Sequence, residues 1–192
     1  MIGYRITRAE LEQRIRAEKA DWLDRAATRT ETFRHKGRYE EPGSIWSEVK
    51  VVYMRLQGNA KCAYCERKLE AETFGKGEQD VEHFRPKGDV KPWKMPKHLA
   101  DLGIKATAVP NEKRGYFLLP YHLLNYAVAC KPCNSALKSD RFPIADAYNL
   151  TGEDSMQLKN EKPYLIYPIG DCDTDPEQLI RFHGVSPPPV LT

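Results

Sequence analysis

The chain opens with a helical period. After Thr7, the apolar positions Leu11, Ile15, Trp22, Leu23 and Ala26 recur at helical spacing. Thr7 and Glu10 form a capping-box pattern at the start. The pattern predicts one amphipathic helix that ends before the polar stretch TRTETFRHKGRYEEPGS. A second helix is expected after Ser44, with Ile45, Val49, Val52, Tyr53 and Leu56 on one face and Gly58 as its stop. From Lys61 the texture changes. KCAYCERKL reads as a tight turn and DVEHF as a short strand. Residues 88–115 are rich in Lys and Pro, with one short helix near 96–103, and read as an insertion. YFLLPYHLLNYAVAC is apolar and aromatic, and KPCNSALKSDRF reads as a short helix opening at Pro132 or Cys133. The tail shows little periodicity, and its SPPPVLT ending reads as a mobile end or a truncation. No internal repeat is present. Three segments result: a helical preface at 1–59, a core at 60–145 interrupted at about 88–115, and an extension at 146–192.

Composition narrows the class. At 192 residues, 41% apolar and 30% charged, the chain suits one domain with appended helices. The net charge of +3 does not by itself imply nucleic acid. No run reaches the roughly 20 apolar residues that span a bilayer, and the N-terminus lacks the apolar core of a signal peptide. The expectation is a cytoplasmic protein with no membrane contact. Cysteines there stay reduced, so paired Cys-x-x-Cys spacing reads as metal before disulfide.

Four of the five cysteines form two such pairs, Cys62 with Cys65 and Cys130 with Cys133. Each pair can fill two corners of a tetrahedral Zn2+ site. The separation is far longer than in a simple zinc ribbon, so the metal would staple two distant segments. A closed four-thiolate shell leaves no open position, which makes this zinc structural. Cys172 stands apart and reads as an ordinary thiol.

Inside the stapled loop lie Asp80, Glu82 and His83. Strand alternation puts the two carboxylates on one face and the imidazole on the other. Carboxylates are hard oxygen ligands suited to Mg2+ or Mn2+. The imidazole titrates near neutral pH and can take a proton from water. A divalent ion and a general base together suffice for phosphodiester hydrolysis.

The set CAYC, DVEHFRP and LLNYAVACKPCNSALK resembles the HNH endonuclease family over roughly residues 60–143. That resemblance implies an α+β fold with a ββα-metal core, stapled by a four-cysteine zinc site. It implies His83 as general base, and Glu82 and Asn134 as ligands of a catalytic Mg2+ or Mn2+. Asp80 would stand near the metal, as a further ligand or in a supporting role. Asn125 would brace the hairpin loop, and Lys138 matches a basic position on the helix. VEHFRPKG, GYFLLPYHLLN and CKPCNSALKSDRFPI further resemble small bacterial HNH proteins linked to ATPases in phage-defence operons, such as Septu-type systems and some retrons. That narrower likeness implies an ATPase partner subunit and a defence role, with nucleic acid, most simply DNA, as substrate. Two departures stand out: about 25 inserted residues after HFRPK, and Tyr121-His122 where an aromatic-acid pair is usual.

Several residues keep two readings. Arg85 could hold a phosphate or pair with Asp80 or Glu82. Lys87, Lys138 and the Lys-rich insertion around Trp93 could contact a nucleic-acid backbone or be a solvated face. His122 could lean into the site or simply pack. The alternative for the whole chain is a non-catalytic zinc-ribbon module binding nucleic acid or protein. A zinc deaminase is disfavoured, because its His-x-Glu order is absent here.

Overall fold

A computed structural model describes residues 2–58, 60–74 and 79–179. The SPPPVLT ending lies outside the described residues. The class is α+β. Helices α1 (Arg8–Glu18), α2 (Trp22–Lys36) and α3 (Lys50–Leu56) precede a two-stranded antiparallel sheet of β1 (Gln79–His83) and β2 (Tyr126–Cys130). A short α4 (Lys97–Asp101) lies between the strands, a π-helical segment (Pro132–Lys138) follows β2, and α6 is preceded by a 3-10 stretch at Ser155–Glu161. We number the π-helical segment α5; α6 spans Pro176–Leu179.

The N-terminal helix differs from the sequence expectation in two ways. It breaks at Lys19–Asp21, and its second half runs on through the polar stretch to Lys36. The capping box of Thr7 and Glu10 is present. The continuation is explained by Phe33, which is buried in line with Trp22 and Ala26. The polar side chains on the other face are satisfied locally: Thr28, Thr30 and Thr32 donate to carbonyls one turn back, and Arg34 pairs with Glu31. Gly37 ends the helix at φ 66°, a left-handed conformation that glycine adopts freely. The expected helix after Ser44 begins as a 3-10 turn, Trp46–Val49, before α3.

Strand β2 is buried along its whole length. One edge pairs with β1, with Gln79 opposite Cys130 and His83 opposite Tyr126. The other edge meets a side chain. Gln57 Oε1 accepts from Val128 N at 2.6 Å, and its Nε2 donates to Val128 O at 3.0 Å. A buried amide thus stands in for a third strand and satisfies groups that would otherwise be costly to bury. The surrounding core is aromatic: Trp22, Tyr53, Tyr116, Tyr126, Phe84 and Phe142 are fully buried.

The insertion leaves and returns at one point. Tyr116 N donates to Pro86 O at 2.8 Å. A Cβ on Gly115 would sit 1.6 Å from Gly88 O, so only glycine allows the two ends to close. The chain thus returns at Tyr116 beside the point, Pro86, from which it left. Among the described residues, no helix is long and apolar enough to cross a membrane.

Candidate metal centre and polar cleft

Cys62 follows α3 and Cys65 closes a tight turn, in which Glu66 N donates to Cys62 O at 3.0 Å and Glu66 adopts φ 59°. Cys130 ends β2 and Cys133 stands in the first turn of α5. The four thiols lie within 4.8 Å of one another and are positioned to bind a metal ion. Cys65 Sγ and Cys130 Sγ are 3.9 Å apart. A tetrahedral shell with metal–sulfur bonds near 2.3 Å needs sulfurs roughly 3.8 Å apart. Burial opposes ionisation of Cys62, but backbone N–H groups of Cys65, Cys130 and Tyr64 outweigh it and hold the thiol below its ordinary range. Cys130 N reaches Cys62 Sγ at 3.4 Å. Cys172 is elsewhere, buried with its thiol on Ile169 O at 3.5 Å.

Beside this centre opens a polar cleft of about 240 Å³, lined by Glu82, His83, Lys87, Asn134, Ser139 and Asp140 among others. The sheet and α5 bring together side chains more than fifty positions apart. Glu82 is 2% exposed. Its Oε1 lies 2.5 Å from Lys138 Nζ and accepts from Tyr64 Oη at 3.2 Å. Burial pushes the carboxyl up, while Lys138 and Tyr64 oppose it.

His83 ends β1, so both it and Glu82 border the cleft despite strand alternation. Its Nε2 meets Pro120 O at 3.1 Å. A carbonyl can only accept, so Nε2 carries the proton and Nδ1 carries the lone pair. Trp46 and Tyr126 meet the ring edge-to-face at 4.7 and 5.1 Å. Burial first, and the Lys87 charge second, hold the imidazole well below its ordinary range, hence neutral.

Asn125 is fully buried and braces the loop. Its Oδ1 accepts from Arg85 N at 2.8 Å, and its Nδ2 donates to Arg85 O at 3.1 Å and Leu119 O at 3.0 Å. The next carbonyl along is the Pro120 oxygen that holds His83. Asn134 Nδ2 donates to Asp80 Oδ2 at 3.1 Å, which turns its carbonyl oxygen away from Asp80. Segment α5 is wound as a π-helix, closing with Ser139 N on Asn134 O at 2.6 Å, and Ser139 takes φ 49°. Such widened turns and left-handed non-glycine residues concentrate at functional sites.

The cations divide. Arg85 turns inward: its Nε lies 3.0 Å from Glu161 Oε2, and its Nη2 donates to Leu158 O at 3.0 Å. Its partner is neither Asp80 nor Glu82. Lys138 is buried, spending its donors on Glu82, His83 O and Ser139 O. Lys87 lines the cleft, with Nζ 4.7 Å from the Trp46 ring centroid. Burial lowers its pKa. His122 does not line the cleft; its Nε2 is 3.3 Å from Asp154 Oδ1.

Three contributors escaped the sequence reading. Trp46 belonged to a helical preface with no chemical pattern. Tyr64 lay between two cysteines that drew the attention. Pro120 acts through its backbone oxygen, which no sequence signal exposes. Among the described residues, the thiol cluster is the one place where three or more His, Cys, Asp or Glu ligand atoms converge. No family model, curated protein or solved structure matches this chain.

Proposed function

We propose that this chain is an HNH-type endonuclease that hydrolyses phosphodiester bonds of nucleic acid, most simply DNA, with the four thiols holding a structural Zn2+. The observation carrying this reading is the neutral His83, which borders a polar cleft with its Nε2 anchored on Pro120 O, so that Nδ1 carries the lone pair. Glu82 and Asn134 are the residues that would hold a catalytic Mg2+ or Mn2+. Glu82 Oε2 has no hydrogen-bonding partner among the described residues, and the Asp80 contact leaves Asn134 Oδ1 as a second hard oxygen. When bound there, such an ion supplies positive charge to the phosphate and the leaving oxygen.

The chain's own residues do the rest. His83 takes a proton from water at Nδ1 and passes none through Nε2, which stays on Pro120. Asn125 holds the backbone on both sides of that contact. Asp80 orients the Asn134 amide, and Lys87 presents positive charge to the incoming phosphate. The sequence likeness to ATPase-linked defence proteins makes an ATPase subunit the partner to test.

A second reading, a non-catalytic metal-stapled binding module, draws on the burial of Glu82 and His83, 2% and 6% exposed. Plasmid nicking in added Mg2+ or Mn2+ separates the two. His83→Ala should lower cleavage by roughly 10²–10⁴-fold while bound zinc stays near wild type, read at a temperature where the variant is folded. Equal nicking by wild type and variant would sink the nuclease assignment.

A further inference from the structure

Two observations outside the cleft meet at the insertion. The first is charge. Residues 88–115 hold six Lys or Arg against three Asp or Glu, an excess equal to the whole chain's +3. The remainder of the molecule is balanced. Lys91 is paired with Asp140 at 2.6 Å. No ion pair among the described residues involves Lys94, Lys97 or Lys105.

The second is shape. A groove of about 350 Å³ runs between the insertion and the end of α5. Trp93, Leu99 and Ile104 line it from the insertion, and Leu137, Arg141 and Tyr164 from later in the chain. Leu137 is 71% exposed and Tyr164 40%, an open apolar patch of the kind that marks a binding site. Arg141 is held across the helix end, donating to Ala136 O at 3.4 Å and Leu137 O at 3.1 Å. Tyr164 is fixed by its hydroxyl on Lys105 O at 2.7 Å. Lys138 borders the groove while its ammonium reaches Glu82 at the cleft, so one residue separates the two. Each of Lys94, Lys97 and Lys105 lies within two residues of a groove-lining side chain.

We propose that this groove receives one unstacked nucleobase of a single-stranded stretch, adjacent to the phosphodiester held in the cleft. The inference rests on the nuclease reading and names its substrate class. Aromatic rings and a guanidinium plane are the surfaces on which bases stack, and they do so without sequence preference. The lysines around the groove meet the phosphates on either side of that base. An apolar peptide anchor would need no such charge. A duplex keeps its bases stacked and cannot fill the groove.

The test uses the full chain carrying His83→Ala, without added Mg2+ or Mn2+, so that binding is read apart from cleavage. A fluorescein-labelled oligo-dT strand should bind at least tenfold tighter than a blunt duplex of equal length. Adding Trp93→Ala should weaken strand binding by roughly 5–100-fold, with the melting temperature unchanged. Leu137→Asp, a change at an exposed position, should act in the same direction. The decisive measurement is an abasic scan. One abasic position should weaken binding to the Trp93 protein and have no further effect on Trp93→Ala. Equal strand affinity for both proteins, tighter binding of duplex, or an abasic penalty independent of Trp93 would overturn the proposal. So would a sedimenting dimer dissociated by Leu137→Asp, which would assign the groove to a second copy. If nicking is absent yet the abasic coupling persists, the nuclease reading fails and the groove stands.

Discussion

Two buried ion pairs flank the segment 82–85, and they have opposite surroundings. Arg85 and Glu161 meet in the interior. Glu161 Oε1 also accepts from Tyr116 Oη and Asn149 N, both at 2.9 Å. The Arg85 guanidinium lies 5.2–5.8 Å from the ring centroids of Phe84, Tyr116 and Phe142. Both Glu161 oxygens and two of the Arg85 nitrogens are hydrogen-bonded there. Glu82 and Lys138 are equally buried, but Glu82 borders a cleft, and its second carboxylate oxygen is left over. The first pair, with both carboxylate oxygens engaged, ties the extension to the hairpin. The second leaves an acceptor over, which is what the proposed ligand role of Glu82 requires. Burial alone does not distinguish structure from chemistry; the count of satisfied atoms does.

The largest effect expected concerns the metal centre that positions only one of these pairs. Lys138 shares α5 with Cys133, whereas Arg85 and Glu161 lie outside the segments that carry the thiols. Structural thiolate sites bind zinc with about 10 kcal/mol or more. Chelation, or Cys62→Ser, should therefore give the largest fall in melting temperature. Amide exchange should rise furthest over residues 60–69 and 126–138, and least around 84–86 and 158–161. Uniform loss of protection would show that the two pairs are not independent.

Glu161→Ala comes next. It strands a buried guanidinium, which costs about 3–5 kcal/mol, measurable by denaturant unfolding. Lys138→Met should cost less, because Glu82 keeps the Tyr64 hydroxyl and burial already favours its protonated form, yet it should change cleavage more than Glu161→Ala does at a temperature where both are folded. The reverse ranking would break the contrast between the pairs.

The smallest effect is in pH dependence. Burial first, against the attraction of Asp154, lowers the His122 pKa from 6.5 to about 4. Between those values the unfolded chain binds more protons than the folded one, so stability falls as pH drops from about 6.5 to about 4 and is fully present above that window. His122→Asn should flatten this slope in acid unfolding curves and leave cleavage at neutral pH unaltered.

Much of the site was legible because its signals are local. Two Cys-x-x-Cys turns, an acid beside a histidine, and Asn134 directly after a cysteine each need only neighbouring residues to be noticed. The helix boundaries were less legible. The polar run after Ala26 looks like a loop until Phe33 finds its place in the core, and that depends on packing against Tyr39 and Tyr121. Arg85 was ambiguous for the same reason: its partner Glu161 is 76 positions away.

The sequence by itself determined which donors exist and how the thiols are spaced. It also determined that a strand carries Asp80, Glu82 and His83. Tertiary structure decided what each donor is free to do. The closure of Gly115 on Gly88 sets the insertion beside α5, and the Pro120 carbonyl selects the tautomer of His83. Lys138 and Asp80 fix which oxygens of Glu82 and Asn134 remain open. These are properties of pairs far apart in the chain, set by packing and hydrogen-bond saturation, and no single stretch encodes them.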